Sequence, residues 1–265
     1  MTISLIKSST FKTADGGCGA LIEFNRPERN NALVPDLLRE FQAVVDDALA
    51  SRAKVIIVAA KGNHFSTGGD IGEFARQVSS SNGVKYARQL VQLLQETIYK
   101  MLAAPAIFIV AAQGAITGGS SGFLFASDLA VIDETSFLQP YYREVGFGPD
   151  GGWTALLPEI IGARRAQTLQ YKNQRLDAPQ LLEFGLADFL VAPGESVQTA
   201  QKIAEELLAT ANVSALIASK KLTWHPAKLR EIRFKLEAET EEFIRLFQAP
   251  HMVETLNSFK PSKAS

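Results

Sequence analysis

Three short stretches carry residue types that could do chemistry. In "QGAITGGSSG", residues 113–122, Gly118, Ser120 and Gly122 have the spacing G-x-S-x-G. In hydrolases that spacing sets a nucleophilic serine on a sharp strand-to-helix turn. Partners in the order Ser, Asp, His are available in Asp177 or Asp188 and His225 or His251. Two details oppose the nucleophile. "QGAIT" separates the apolar run "AIFIVAA" from Gly118, and each candidate histidine adjoins a proline, Pro226 or Pro250. The same small residues would serve close packing of a helix, or would offer backbone N–H groups to an electron-rich atom. Packing, backbone binding site and serine nucleophile stand as three readings.

The second stretch, "HFSTGGDIGEF" at residues 64–74, follows the strand-like "VIIVAA". Thr67, Gly68 and Gly69 form a turn whose N–H groups would point outward at the carboxyl end of a strand, where α/β folds commonly bind ligands. His64, beside Phe65, reads as structural. The third stretch is "PDGGW". Taken alone, its Asp150 is a turn residue or a helix N-cap. Together the three stretches suit an acyl thioester: two N–H donors hold the carbonyl oxygen as it becomes an enolate, and a carboxylate moves a proton. Two weaker matches are set aside. Gly146, Gly148 and Gly151 match G-x-G-x-x-G, but no clean strand precedes them and Pro149 interrupts them. "GAITGGSS" resembles a phosphate loop but lacks its lysine.

Such groups need a scaffold. "LIEF" and "VIIVAA" read as buried strands, and between them "PDLLREFQAVVDDALA" places Leu37, Leu38, Phe41, Val44, Val45 and Ala48 on one helical face. Strand, helix, strand predicts a parallel βαβ unit. "KYARQLVQLLQETIYKML" predicts a second long helix, "AIFIVAA" and "LAVID" further strands, and "SSGFLFASD" a short helix. "PEIIGARRAQTLQY", "APQLLEFG" and "VQTAQKIAEELLAT" predict helices, with the strand "ADFLV" among them. The last sixty residues read as helical, with Leu229, Ile232, Leu236, Phe243 and Phe247 in an apolar stripe. That stripe must pack on the body or on another subunit, and we expect it at or near a subunit interface.

The chain has 265 residues, 46% of them hydrophobic and 21% charged, with a formal net charge of -1. That is ordinary for a globular protein and gives no electrostatic case for nucleic acid or an anionic membrane. A single cysteine, Cys18, excludes an intrachain disulfide and a thiol-rich metal site and fits a reducing compartment. The amino terminus lacks the apolar core of a signal peptide, and no apolar run approaches the roughly 20 residues of a membrane span. A cytoplasmic location is expected.

"NRPERNNAL", "FSTGGDIGEF", "QGAITGGSSGFLFASDLAV", "VGFGPDGGWTALLPEIIG" and "EFGLADFLV" occur in an order that resembles the crotonase (enoyl-CoA hydratase/isomerase) superfamily over nearly the whole length. The resemblance implies a spiral of stacked ββα units over residues 1–195 and a helical trimerisation region over 196–265. It also implies a homotrimer or hexamer and an acyl-CoA thioester substrate, with CoA as part of the substrate and no separate cofactor or metal. Carried over, the oxyanion donors are the N–H groups of Gly69 and Gly119, the latter at a helix N-terminus, so Ser120 is a neighbour and not the nucleophile. Substrate contacts fall on Ser66, Gly69, Asp70, Ile71 and Gly119, with CoA phosphates near Arg26, Arg29 and Lys260. Hydratases of the family carry two glutamates, and their positions here hold Gly122 and Tyr141. Asp150 falls where the double-bond isomerases place a proton shuttle and aryl-CoA dehalogenases a nucleophile. The dehalogenases also want a histidine on the preceding long helix, which has none. The reading is therefore an enoyl-CoA isomerase with Asp150 as shuttle, its proton affinity raised by apolar walls such as Phe147 and Trp153. A hydratase-like activity, a dehalogenase or hydrolase using Asp150, a non-catalytic CoA-ester-binding protein and an RNA-binding relative are the alternatives. The near-neutral charge opposes the last.

Overall fold

The structure, a computed structural model, describes residues 4–13, 16–78, 80, 82–210 and 212–258. The chain opens with strands β1 (Ile6–Lys12) and β2 (Cys18–Phe24), helix α1 (Pro35–Ala50) and strand β3 (Val55–Ala60). Helices α2 (Ile71–Val78) and α3 (Gly83–Ala103) lead to β4 (Ile107–Ala112), β5 (Ala115–Thr117), α4 (Ser121–Phe125), β6 (Leu129–Asp133), β7 (Phe137–Gln139) and α5 (Tyr142–Val145). Then come α6 (Leu157–Ile161), α7 (Ala163–Lys172), β8 (Leu176–Asp177), α8 (Ala178–Glu183) and β9 (Phe189–Val191). The chain closes with α9 (Ser196–Thr210), α10 (Val213–Thr223), α11 (Pro226–Phe247) and α12 (Met252–Ser258).

The strands form a six-stranded sheet in the order β1-β2-β3-β4-β6-β9 and a three-stranded sheet in the order β5-β7-β8. Within the large sheet only β1 and β2 run antiparallel, and the expected βαβ unit is β2-α1-β3. Each of the successive pairs β4–β5 and β6–β7 gives one strand to each sheet. β4 lies parallel to β6, and β5 to β7, and a short helix follows each pair. These are the stacked ββα turns.

Every residue of β3 and β4 is buried, as befits strands covered on both faces. Alternate side chains serve two cores. Ile56, Val58, Phe108 and Val110 join α1 and α3 on one face, while Val55, Ile57, Ile107 and Ile109 meet Ala200, Ala204, Leu208 and Ile217 of α9 and α10 on the other.

Three sequence expectations are corrected. "PEIIGARRAQTLQY" is two helices, because Gly162 adopts φ +83° between α6 and α7. The strand β1 and the three strands of the small sheet, β5, β7 and β8, were not anticipated; β1 has five of its seven residues exposed, which leaves no buried pattern to read. The α11 stripe does not await a partner: Ile232, Leu236, Phe243 and Phe247 are buried in the chain's own core, with Leu229 packed at its margin. None of the described helices is long and apolar enough to cross a membrane.

Candidate active site

The carboxyl ends of β3, β5 and β7 each release a loop, and the three loops meet. The β3 loop is anchored by Phe65, which joins Phe24, Phe41 and Phe123 in a cluster of mutually tilted or edge-on rings. Phe123 belongs to α4, so one cluster fixes both glycine turns. Backbone bonds stitch them together: Ser66 N–H donates to the Ala115 carbonyl at 3.0 Å and Thr117 N–H to the Ser66 carbonyl at 3.2 Å. Gly68, at φ +78°, lets the turns touch; a Cβ there would stand 2.7 Å from the Thr117 carbonyl oxygen. Among the described residues, neither the Gly69 N–H nor the Gly119 N–H donates to another group of the chain. Both are free for a ligand. Gly119 lies in a single 3-10 turn, Gly118–Ser120, leading into α4. That helix is short, so its dipole is a small addition to the N–H itself.

Asp150 comes to these donors from the third loop. A Cβ on Gly119 would lie 2.7 Å from Asp150 Oδ1 and 2.8 Å from Leu94 Cδ2, so the carboxylate rests directly against the glycine. The loop is held by backbone packing on the turn, since a Cβ on Gly151 would lie 2.4 Å from the Gly119 carbonyl oxygen. Tyr142 Oη donates to Asp150 Oδ1 at 2.5 Å. Asp150 is only 8% exposed. Burial pushes its proton affinity up, to a pKa of about 6, with the Tyr142 hydrogen bond opposing. Phe147 and Leu94 line the cavity with it. Trp153 does not; it packs on Tyr142 and donates Nε1–H to the Gly118 carbonyl at 2.8 Å, bracing the glycine turn. Of the two expected walls Phe147 lines the cavity and Trp153 does not; Tyr142, which no sequence pattern singled out, lines it instead.

The cavity holds about 650 Å³. Its polar lining includes Glu28, Arg29 and Asp70, and its apolar lining Ile71, Phe74, Leu90, Leu94, Phe147, Phe243 and Leu256. Asp70 accepts hydrogen bonds from Arg26 at 2.8 Å, Arg29 at 2.9 Å and the Glu73 N–H at 3.1 Å. Burial raises its proton affinity, but these partners outweigh burial and hold it below the ordinary carboxylate range. Arg26 also bonds the Ala32 carbonyl and does not line the cavity, whereas Arg29 lines it and stays half-exposed. Ser66 is buried outside the cavity, its hydroxyl donating to the Asn31 carbonyl. Lys260 lies outside the described residues.

The serine triad does not assemble. Ser120 is fully buried, and its hydroxyl faces the carbonyls of Thr117 at 2.8 Å and Ser66 at 3.0 Å. Asp177 and His225 cap helices α8 and α11, and Asp188 accepts the Ala130 N–H. His64 lines the cavity with Nδ1 accepting the Ala115 N–H, and burial lowers its proton affinity. The hydratase positions carry no carboxylate: a Cβ on Gly122 would lie 2.5 Å from both the Gly151 carbonyl oxygen and Ile98 Cδ1, and Tyr141 lines the cavity.

Residues 17–264 match the model of the family described as enoyl-CoA hydratase/isomerase. The chain belongs to that family. Among curated proteins, it is 28% identical over 88% of its length, and 89% of the other's, to a Bacillus subtilis protein named as an enoyl-CoA hydratase/isomerase, YhaR. It is 26% identical to the trans-2-decenoyl-[acyl-carrier-protein] isomerase of Streptococcus mutans, over 77% of this chain and 78% of that one. Among solved structures, the enoyl-CoA hydratase of Bacillus halodurans superposes with a TM-score of 0.85 at 22% identity, covering 95% of this chain and 99% of that one. These likenesses fix the crotonase fold and its acyl-thioester family; the named activities vary among the relatives.

Proposed function

We propose that this member of the enoyl-CoA hydratase/isomerase family is a double-bond isomerase acting on an acyl-CoA thioester, with Asp150 as its proton shuttle. The observation that carries the reading is the Asp150 carboxylate resting on Gly119 within an otherwise apolar wall. Of the other carboxylates lining the cavity, Asp70 is bound by two arginines and Glu28 lies exposed at the mouth. Glu144 is exposed and does not line the cavity, so it is not placed to activate water.

With a 3-enoyl thioester bound, the Gly69 and Gly119 N–H groups receive the thioester oxygen. The Asp150 carboxylate removes a proton from C2, and the electron pair passes into the enolate, whose charge rests on that oxygen. The protonated Asp150 then returns the proton to C4 as the double bond moves from C3–C4 to C2–C3. A carboxyl near pKa 6 can both take and return a proton near neutrality, which an ordinary aspartate at about 3.9 does poorly. The isomerase among the curated relatives agrees with this chemistry. Conversion of a 3-enoyl-CoA to the conjugated 2-enoyl-CoA, followed by absorbance, tests it. Asp150→Asn is expected to bind the ester yet lose at least about 10²-fold in turnover. Wild-type turnover by Asp150→Asn would end this reading, and efficient hydration of a 2-enoyl-CoA by the wild type would replace it.

A further inference from the structure

A second carboxylate is withdrawn from water beside the first and takes no part in the steps above. Glu239, midway along α11, is 4% exposed. Its Oε2 accepts the Gly152 N–H at 2.9 Å, and its Oε1 accepts the Thr154 N–H at 2.7 Å, the Thr154 hydroxyl at 2.6 Å and the Ala155 N–H at 3.1 Å. All four donors are neutral, and all lie in the segment immediately after Asp150. We propose that Glu239 is a positioning residue for the proton shuttle: it fixes the loop that sets the Asp150 carboxylate against Gly119.

Residues 150–156 form no regular helix; the Trp153 and Leu156 N–H groups bond the Asp150 and Gly152 carbonyls within the segment, and the others need acceptors from elsewhere. Glu239 supplies one acceptor group for three of them. The same helix meets the loop again at Gly148, where a Cβ would lie 2.9 Å from the Phe243 nitrogen. On its far side the loop touches the glycine turn through Gly151 and Gly119. Helix α11, the Asp150 loop and the oxyanion turn therefore form one stack, with Glu239 joining the first two. A neutral acceptor could tie a loop to a helix without the several kcal/mol it costs to bury an ion. What the carboxyl group adds is acceptor capacity: its two oxygens take four hydrogen bonds, more than a single amide oxygen accepts. Burial likewise pushes Glu239 up, to about 7, and the Asp150 charge adds to this, so the two titrate as an interacting pair. The remaining titratable group facing them is Tyr142. From α3 the neighbours are the apolar Leu94 and Ile98, while Gln95 is bonded to the Leu236 carbonyl and to Thr240.

The kinetic consequence rests on the isomerase reading; the anchoring of the Asp150 loop does not. The test is Glu239→Gln, whose amide oxygen can keep the three donors on one side while its NH₂ meets the Gly152 N–H. Two measurements are made on the full chain: the pH dependence of kcat and KM for 3-enoyl-CoA isomerisation, and a carbon-13 NMR titration of the Asp150 carboxyl, assigned through Asp150→Asn. The expected result is a fall in kcat of about tenfold or more at nearly constant KM, with the Asp150 titration moved to lower pH by about one unit as the loosened loop admits water to the carboxylate. If Glu239→Gln does not fold, Thr154→Val, which removes one of the four donors that tie the loop to Glu239, is expected to move the titration the same way by less. An Asp150 titration that stays in place would overturn the inference, as would a loss confined to KM. If the wild type isomerises nothing, the isomerase reading falls, and the NMR titration still decides the role of Glu239.

Discussion

Asp150 combines burial with one strong hydrogen bond, and both have measurable consequences. As the base it must be ionised, so kcat/KM is expected to rise with pH through about 6 and level off above it. Tyr142→Phe removes the donor that favours the carboxylate and is expected to move that limb to higher pH; a limb that stays in place would show that Tyr142 only packs. Stability follows the same group. Its proton is held more tightly in the folded chain than at the ordinary 3.8, so its contribution is full below pH 3.8 and is lost as pH rises through about 6. Asp150→Asn is therefore expected to be more stable than wild type at pH 8, by about 1–3 kcal/mol, and no more stable at pH 3.5. Urea unfolding at the two pH values measures this. Asp150 was legible from its glycine-flanked loop and the family resemblance. Tyr142 was not, because one aromatic in a short irregular segment has no periodicity to mark it. Glu239 left a trace: it sits with Thr240 on the buried face of α11, interrupting a stripe that is otherwise apolar from Ile232 to Phe247.

At the scale of elements, the long helices and the buried strands could be read because their burial repeats every 3.6 or every 2 residues. The three-stranded sheet could not, since two- and three-residue strands are too short to show a period. Yet two of its strands launch the Gly119 turn and the Asp150 loop. The attachment of α10 was hidden too. Lys220 is buried and donates to the Met101 and Ala106 carbonyls at 2.7 and 2.9 Å and to Asp128 at 2.6 Å, tying α10 to the segment between α3 and β4 and to the entrance of β6. Burial lowers the proton affinity of Lys220 and raises that of Asp128, while each opposes the other's shift. Lys220→Met is expected to lose about 3–5 kcal/mol in chemical denaturation, because it strands a buried carboxylate and two carbonyls. A loss below about 1 kcal/mol would mean that water reaches the site.

For the whole molecule, the α11 stripe is satisfied within the chain, so any assembly must use other surfaces. A trimer or hexamer is the stoichiometry the family resemblance implies, and light scattering at micromolar concentration is expected to give three or six times the chain mass. A monomer would remove that expectation. One contact inside the site also bears on descent. Gly122 is pressed between the Gly151 carbonyl and Ile98 with no room for a single added carbon. The position where the family resemblance implies a hydratase glutamate is therefore closed by the loop that delivers Asp150. A lineage passing through this chain could not regain hydration by one codon change at that position, because admitting the glutamate would require the Asp150 loop to move. Under the isomerase reading the two chemistries exclude each other through occupied space, and an evolutionary path between them would have to remodel backbone before it exchanged side chains.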